Sequence, residues 1–401
     1  MKFSHTPNID GAKKILQEIT QTPIKSAPRK VDRPLVLYGA GDLGRMAKQY
    51  FNQIGIYFKY VVDSNPEPHR NDPFWAGIDV ISPSEVSFKE HSESLLAVCI
   101  ATTQFDLLNI ELELQGWTDL VPFYDIAEAY RDRHPLSNGW FSGKLSQADI
   151  ENTELVLSGW QDDTSRAHHL QFIAWRALRQ DWLFEDAPVT LNDRYFIPEV
   201  ASLLKTDEIF CDLGAYHAGV ILRFLRTIGN RFKEIWGIEP DKANVSQLRA
   251  ELQKLDPEIK QKIHVLACAV GAREERGNFF RGLGYTSQLC DLGQYPVEVT
   301  TIDRLGLAPT FLKLHLEGGE LNAMQGGLQA LKRFRPIIAA TTYHSRLGIW
   351  EVPKWLMENL VDYHFLMRLH SWCGTGAVLY GIPKERHDAN IKFKMTAMNM
   401  D

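Results

Sequence analysis

Lys313, His315 and Glu317 alternate along a short apolar stretch. If Phe311 to Leu316 is a strand, side chains two apart share a face, so a cation, an imidazole and a carboxylate come together. Ionisable groups on an apolar strand are costly unless paired or wet. Two readings answer that cost: a salt-bridge cluster fixing the strand end, or a site for proton transfer. Glu317, last of the three, is the best placed to contact a reacting group or an acceptor. Tyr343-His344 follows the next expected strand, Pro336 to Thr341. His344 is the candidate general base, because an imidazole takes a hydroxyl proton near neutral pH. Arg368 and His370 could hold an anionic acceptor or serve the structure. The spacing of His315, His344 and His370 matches no metal-ligand pattern, so no metal is expected.

Asp212-Leu213-Gly214-Ala215 closes an expected strand, Ile209 to Asp212, before a helix marked by Val220, Ile221, Phe224, Leu225 and Ile228. A turn of small residues there lets main-chain N–H groups face a ligand carboxylate. Glu239 ends the next strand. In a doubly wound sheet these two strand ends are neighbours at the ligand crevice, where a carboxylate can accept both hydroxyls of a ribose. Nicotinamide and S-adenosylmethionine cofactors both use that geometry. A dinucleotide turn wants three glycines for close pyrophosphate approach. Here only Gly214 and Gly219 are present, with Tyr216 and His217 between them. The acidic residue two positions before the first glycine suits an amino acid moiety better. A merely tight strand-to-helix turn is the plain alternative.

A second glycine turn precedes this one. Gly39-Ala40-Gly41-Asp42-Leu43-Gly44 follows the buried strand Leu35 to Tyr38, and Asp63 ends the strand after it. That context fits the dinucleotide fingerprint and suggests NAD between residues 39 and 63. The block holds only four expected strands, whereas a full dinucleotide fold needs two mononucleotide halves. With Asp63-Ser64-Asn65-Pro66 after its second strand, the block also resembles the small Rossmann-like domains of sugar-modifying enzymes. That resemblance implies a nucleotide-bearing ligand at Gly39, Gly41, Gly44 and Asp63, or a degenerate scaffold, in preference to a redox site.

Behind these residues stand two blocks of alternating strands and helices, an α/β pattern with two Rossmann-like doubly wound sheets. With 401 residues, more than one core is expected. The divisions are an N-terminal arm over 1–32, a small domain over 33–130, a linker and helical segment over 131–195, and the larger domain over 196–390. By the same Asp63-Ser64-Asn65-Pro66 motif, the small domain resembles the nucleotide- or sugar-nucleotide-binding-like Rossmann domains found on sugar-modifying enzymes. His168 to Leu183 reads as an amphipathic helix, Ile263 to Val270 as one strand, and Gly277 to Ile302 as a hairpin insertion. The net charge of −6 gives no general attraction to nucleic acid or anionic membrane, and neither is expected as a partner. The five cysteines form no C-x-x-C pair and read as reduced thiols. The first thirty residues lack an apolar signal core, and no run reaches the roughly 18 apolar residues of a membrane helix. A soluble, cytoplasmic protein is expected, with its oligomeric state open.

The chain also resembles a known family. Asp212-Leu213-Gly214-Ala215-Tyr216, Ile238-Glu239-Pro240, Ala269-Val270-Gly271, Thr301-Ile302-Asp303, Phe311-Leu312-Lys313 and Glu317-Gly318-Gly319-Glu320 stand in the order seen in FkbM-type methyltransferases. The resemblance covers about residues 160–383. Tyr343-His344, Pro353, Arg368 and Val378-Leu379-Tyr380 look like a subgroup with an extra N-terminal Rossmann-like domain. The family implies a methyltransferase-type sheet with an antiparallel edge and S-adenosylmethionine as donor. It implies Asp212, Gly214, Ala215, Tyr216, Glu239, Pro240, Ala269 and Val270 at the cofactor. The acceptor is usually an oxygen on a sugar, glycan, polyketide or similar metabolite. The family usually has glycine where Ala218 stands and aspartate where His315 stands, and the second exchange replaces a permanent anion beside the candidate site. Two other expectations stand beside an O-methyltransferase: an NAD-dependent oxidoreductase or nucleotide-sugar-binding protein using the first glycine turn, and an inactive binding protein on a methyltransferase fold.

Overall fold

The computed structural model describes residues 1–137, 139–282 and 286–386. Strands β1 (Lys2–Phe3) to β6 (Leu120–Pro122) form the N-terminal part. β2 (Leu35–Tyr38), β3 (Val61–Val62), β4 (Val80–Ile81), β5 (Leu95–Val98) and β6 make a parallel sheet in the order β4-β3-β2-β5-β6. β2 and β5 are buried at every position, as expected for parallel strands covered on both faces. The two-residue β4 escaped the sequence reading, because Val80-Ile81 is too short to show a period.

The arm is not loose. β1 pairs in parallel with β7 (Leu183–Phe184), and the helix Ile9–Gln21 buries Ala12, Leu16 and Ile19 in the large core. The expected amphipathic helix runs instead over Asp163–Leu178 and is buried at every position from Ser165 to Leu178. Its polar side chains survive burial by bonding distant backbone. His168 Nε2 meets the Ala187 carbonyl at 3.1 Å, and Arg176 Nη1 donates to the Tyr343 carbonyl at 2.8 Å.

The second sheet holds β8 (Ile209–Leu213), β9 (Glu234–Ile238), β10 (Ile263–Leu266), β15 (Phe311–Leu314), β16 (Ile337–Thr341), β17 (Tyr363–Leu369) and β18 (Ala377–Pro383). Their order is β10-β9-β8-β15-β16-β18-β17, and only β18 runs antiparallel to its neighbours. The expected strand from Ile263 to Val270 is broken. Ala269–Val270, as β11, leaves the main sheet to pair with β14 (Tyr295–Thr300), which also pairs β12 (Glu275–Phe280). With β13 (Gln288–Leu289) these make a four-stranded sheet where a plain hairpin was expected.

In each main sheet the chain first winds outward and then returns to the other side of its starting strand. The reversal falls between β2 and β5 in one sheet and between β8 and β15 in the other. Such switch points open a crevice at the carboxyl ends of the strands. The two sheets meet with those ends together. Backbone N–H of Trp372 and Oγ of Ser371, just after β17, both donate to the Ala101 carbonyl, just after β5. Gln288 Nε2 donates to the Pro135 carbonyl at 3.1 Å, and the His134 and Phe280 rings meet edge to face.

Candidate active site

A cavity of about 690 Å³ joins the two switch points. Its walls include Gly39, Gly41 and Asp63 from the first sheet, Gly214, Ala215, Tyr216, Glu239, Pro240, Ala269 and Val270 from the second, and Lys313, His315, Glu317 and His344 at its floor.

The turn after β8 is held from below by charge. Asp212 and Lys313 are register partners on neighbouring strands, and Lys313 Nζ lies 2.8 Å from Asp212 Oδ1 with both side chains buried. Burial pushes the Asp212 carboxyl above its ordinary value, against the pull of the lysine. The same Nζ donates to the carbonyls of Leu213 and Gly214 at 3.2 and 2.9 Å. Asp212 does not reach the cavity wall. It acts through Lys313, and the two position the turn; the salt-bridge reading of Lys313 is the one the geometry supports. Gly214 sits at φ +79°, and a Cβ there would collide with the His315 carbonyl oxygen, so glycine is required for both conformation and room.

The sequence predicts that the turn's amides face a ligand carboxylate; instead they are taken up within the protein. Gly214 and Ala215 both donate to the Ile238 carbonyl at 2.9 and 3.1 Å, and Ala218 donates to Ala215. Tyr216 N–H donates to Glu239 Oε2 at 3.1 Å. β9 lies beside β8, so its terminal carbonyl and carboxylate are the nearest acceptors. Glu239 Oε1 accepts from Asp241 N–H at 3.0 Å and from Asn244 Nδ2 at 3.3 Å. An ionised carboxylate has about four acceptor sites, so three bonds leave room for one more on the cavity side. Burial raises the Glu239 carboxyl, opposed by the donors from Asp241, Asn244 and Tyr216. Ala218, where glycine is usual in the resembling family, takes φ +69° as the N-cap of the helix Gly219–Ile228, so the left-handed turn is kept with a Cβ in it. Beside Gly219 a Cβ would meet nothing within 4 Å.

β15 ends at Leu314, so His315 and Glu317 do not continue a strand face. They stand in a tight turn with Glu317 at φ +51° and Gly318 at φ +104°. Glu320 fixes this turn by accepting from the amides of Leu316 and Gly318 at 2.9 and 3.0 Å and from the Thr341 hydroxyl at 2.6 Å. His315 Nε2 is 2.9 Å from Glu317 Oε1 and 3.2 Å from His344 Nε2, and its Nδ1 is 2.8 Å from the Tyr195 hydroxyl. His344 Nδ1 lies 3.1 Å from Glu317 Oε2. Burial pushes His315 down to about 3, although Glu317 beside it opposes the shift. Burial alone would raise Glu317, but His344 and His315 hold it well below the usual carboxylate range. The candidates named from sequence thus meet in space, by a turn instead of by strand alternation.

Tyr195 and Arg194 were not anticipated. Arg194 donates to the Tyr343 hydroxyl and lies over the Tyr195 and Tyr343 rings. Both residues precede β8 in an irregular segment that carries no local signal. Arg368 and His370 are structural. Arg368 binds Asp162 and Glu199 at 2.7 and 2.6 Å, and His370 is held by Thr190, Tyr380 and Asp193.

At the first turn, Gly39 has φ +102°, and a Cβ on Gly44 would strike the Gly39 carbonyl oxygen. Gly44 therefore serves helix packing and does not line the cavity. Asp63 Oδ2 accepts from Ala40 N–H at 2.7 Å and Oδ1 from Asn65 N–H at 2.8 Å, so it too is stitched to its own turn.

Residues 212–369 match the family model for the methyltransferase FkbM domain. This part of the chain is similar to methyltransferase FkbM domains. The match runs from the end of β8 to the end of β17 and so contains both the Gly214 turn and the His315–Glu317–His344 cluster. Among solved structures, the methyltransferase FkbM from Methylobacillus flagellatus KT is 18% identical with a TM-score of 0.62, covering 93% of this chain and 98% of that one. The shared fold therefore extends beyond the matched residues. A precorrin-6y C5,15-methyltransferase from Geobacter metallireducens GS-15 aligns at 14% identity and a TM-score of 0.28 over 50% of this chain and 95% of its own. No curated protein matches the sequence. Among the described residues no helix is long and apolar enough to cross a membrane.

Proposed function

We propose that the chain is an S-adenosylmethionine-dependent methyltransferase acting on a hydroxyl of a sugar, glycan or similar small metabolite. The observation that carries this reading is the continuity of one cavity from Glu239 to the His315–Glu317–His344 cluster. The residues present fit the cofactor. Glu239 keeps acceptor capacity toward the cavity, Gly219 leaves open space, and Pro240, Ala269 and Val270 add a largely apolar wall. When bound, S-adenosylmethionine supplies an electrophilic methyl group.

The chain's own part is alignment and proton handling. Lys313 and Asp212 fix the Gly214 turn, and Glu320 fixes the turn that presents Glu317. His344 and His315 lie at the cavity floor, where an imidazole nitrogen can accept the proton of an acceptor hydroxyl. His315, pushed down to about 3, enters as a neutral ring, and Glu317 favours any positive charge that develops on either ring. The test is thermal melting of the full chain with S-adenosylmethionine or S-adenosylhomocysteine. A rise is expected that Glu239→Ala removes, and no rise at millimolar ligand would refute the reading.

One observation favours a second ligand within the same cavity. Gly41 has nothing within 4 Å of a Cβ position and lines the cavity with Gly39 and Asp63. We read this end as holding a nucleotide-bearing ligand, with NAD as the redox alternative. Titration with NAD and with nucleotide sugars tests it, and Gly41→Val should abolish whichever binds.

A further inference from the structure

The cluster at the cavity floor holds more nitrogen and oxygen lone pairs than protons to satisfy them. His315 Nε2 faces Glu317 Oε1 at 2.9 Å, His344 Nε2 at 3.2 Å and the Tyr343 hydroxyl at 3.2 Å. A neutral imidazole carries one N–H. His315 Nδ1 is already engaged by the Tyr195 hydroxyl, so Nε2 offers either one proton or one lone pair to three neighbours. His344 Nδ1 is 3.1 Å from Glu317 Oε2 but is not aligned to donate to it, and it has no other hydrogen-bond partner among the described residues. His344 is only 4% exposed, and a buried ring nitrogen left in this way is costly.

A cation resolves the count. One ligand atom from each of His315, Glu317 and His344 can be chosen so that all lie within 4.8 Å of one another. Ligands about 2.1 Å from a metal and at right angles to each other stand about 3 Å apart, close to the 2.9 and 3.2 Å that separate His315 Nε2 from Glu317 Oε1 and from His344 Nε2. The groups are held for the purpose: His315 by Tyr195, the Glu317 turn by Glu320. The cluster also lines the cavity, so positions opposite the protein ligands stay open, as in catalytic metal sites. Two imidazoles with one carboxylate suit first-row divalent transition metals better than the all-oxygen preference of magnesium or calcium.

We propose that His315, Glu317 and His344 form a binding site for one divalent transition-metal ion at the floor of the cavity. Sequence spacing does not show it, because His344 reaches the other two only through the pairing of β15 with β16. Binding itself does not depend on the methyltransferase reading. If that reading also holds, the ion would sit where an acceptor oxygen could bind it and lose its proton more easily.

The full chain, stripped with a chelator and dialysed, is titrated with Co²⁺ while visible absorption is followed, and with Zn²⁺ by calorimetry. One saturating equivalent per chain is expected, with the cobalt band displaced by Zn²⁺. His344→Ala and the near-isosteric Glu317→Gln should each weaken binding by at least about tenfold, with circular dichroism showing both variants folded. A folded wild-type chain with no saturable uptake overturns the proposal. So does uptake unchanged in folded Glu317→Gln, which would place the metal elsewhere. Melting with S-adenosylmethionine is run on the same metal-free samples: a cofactor shift without metal uptake sinks the metal site alone, and metal uptake without a cofactor shift sinks only the methyltransferase reading.

Discussion

The two glycine turns share a plan and differ in what lies beneath them. Each follows a central parallel strand at a switch point, and each is stitched by a carboxylate from the neighbouring strand end, Asp63 to Ala40 and Glu239 to Tyr216. Two residues before its first glycine, the first turn has Leu37 opposite Ala97, and the second has Asp212 opposite Lys313. An apolar pair is enough to hold a turn. A buried ion pair carries a desolvation cost that packing alone does not require, and here its lysine also ties down two carbonyls of the turn. The second turn is therefore built for fixed geometry as well as stability, as the proposed cofactor site would need.

The sharpest way to break that contrast is Lys313→Met. It leaves Asp212 buried without its cation and should cost about 3–5 kcal/mol, measured by denaturant unfolding. A loss below about 1 kcal/mol would mean that the ion pair does not hold the turn. Gly214→Ala comes next, combining a collision with the His315 carbonyl and a left-handed backbone; about 2–4 kcal/mol is expected in the same assay.

The junction between the two regions gives a smaller effect with a defined pH sign. His134, against Phe280 and bonded to Gln53, is pushed by burial down to about 4. Its folded value lies below the ordinary one near 6.5, so the unfolded chain takes up the proton first. The associated stability is complete above about pH 6.5 and is lost as pH falls through 4. A contribution on the order of 1–2 kcal/mol should disappear over that window in urea titrations, and His134→Gln should flatten this part of the profile. The smallest effect belongs to Gly41→Ala, which meets open space and should change stability by less than about 0.5 kcal/mol. A large loss there would show that the first turn is packed as tightly as the second.

The strand–turn–helix pattern around Asp212, Gly214 and Glu239 was legible because its signals are local: an apolar run, small residues, then helical spacing. The cluster was legible in membership and not in form. His315 and Glu317 looked like a strand face, but Glu317 adopts a left-handed turn that Glu320 and Thr341 enforce from other elements. Arg194 and Tyr195 were silent because only packing against Tyr343 and His315 gives them a role. The helix Asp163–Leu178 looked half-exposed because the carbonyls that satisfy His168 and Arg176 are remote in sequence. The break between β10 and β11 was hidden for the same reason, since β14, far along the chain, draws Ala269–Val270 away.

Isothermal titration of S-adenosylmethionine into the wild-type chain and into Glu239→Ala measures most directly whether the β9 carboxylate and the β8 turn grip the cofactor together. The wild-type chain should bind one equivalent, and the variant, folded by circular dichroism, should bind about 10- to 150-fold more weakly, the equivalent of a charged hydrogen bond of about 1.5–3 kcal/mol. Equal affinity in both proteins, or no binding to the wild-type chain, would contradict the account.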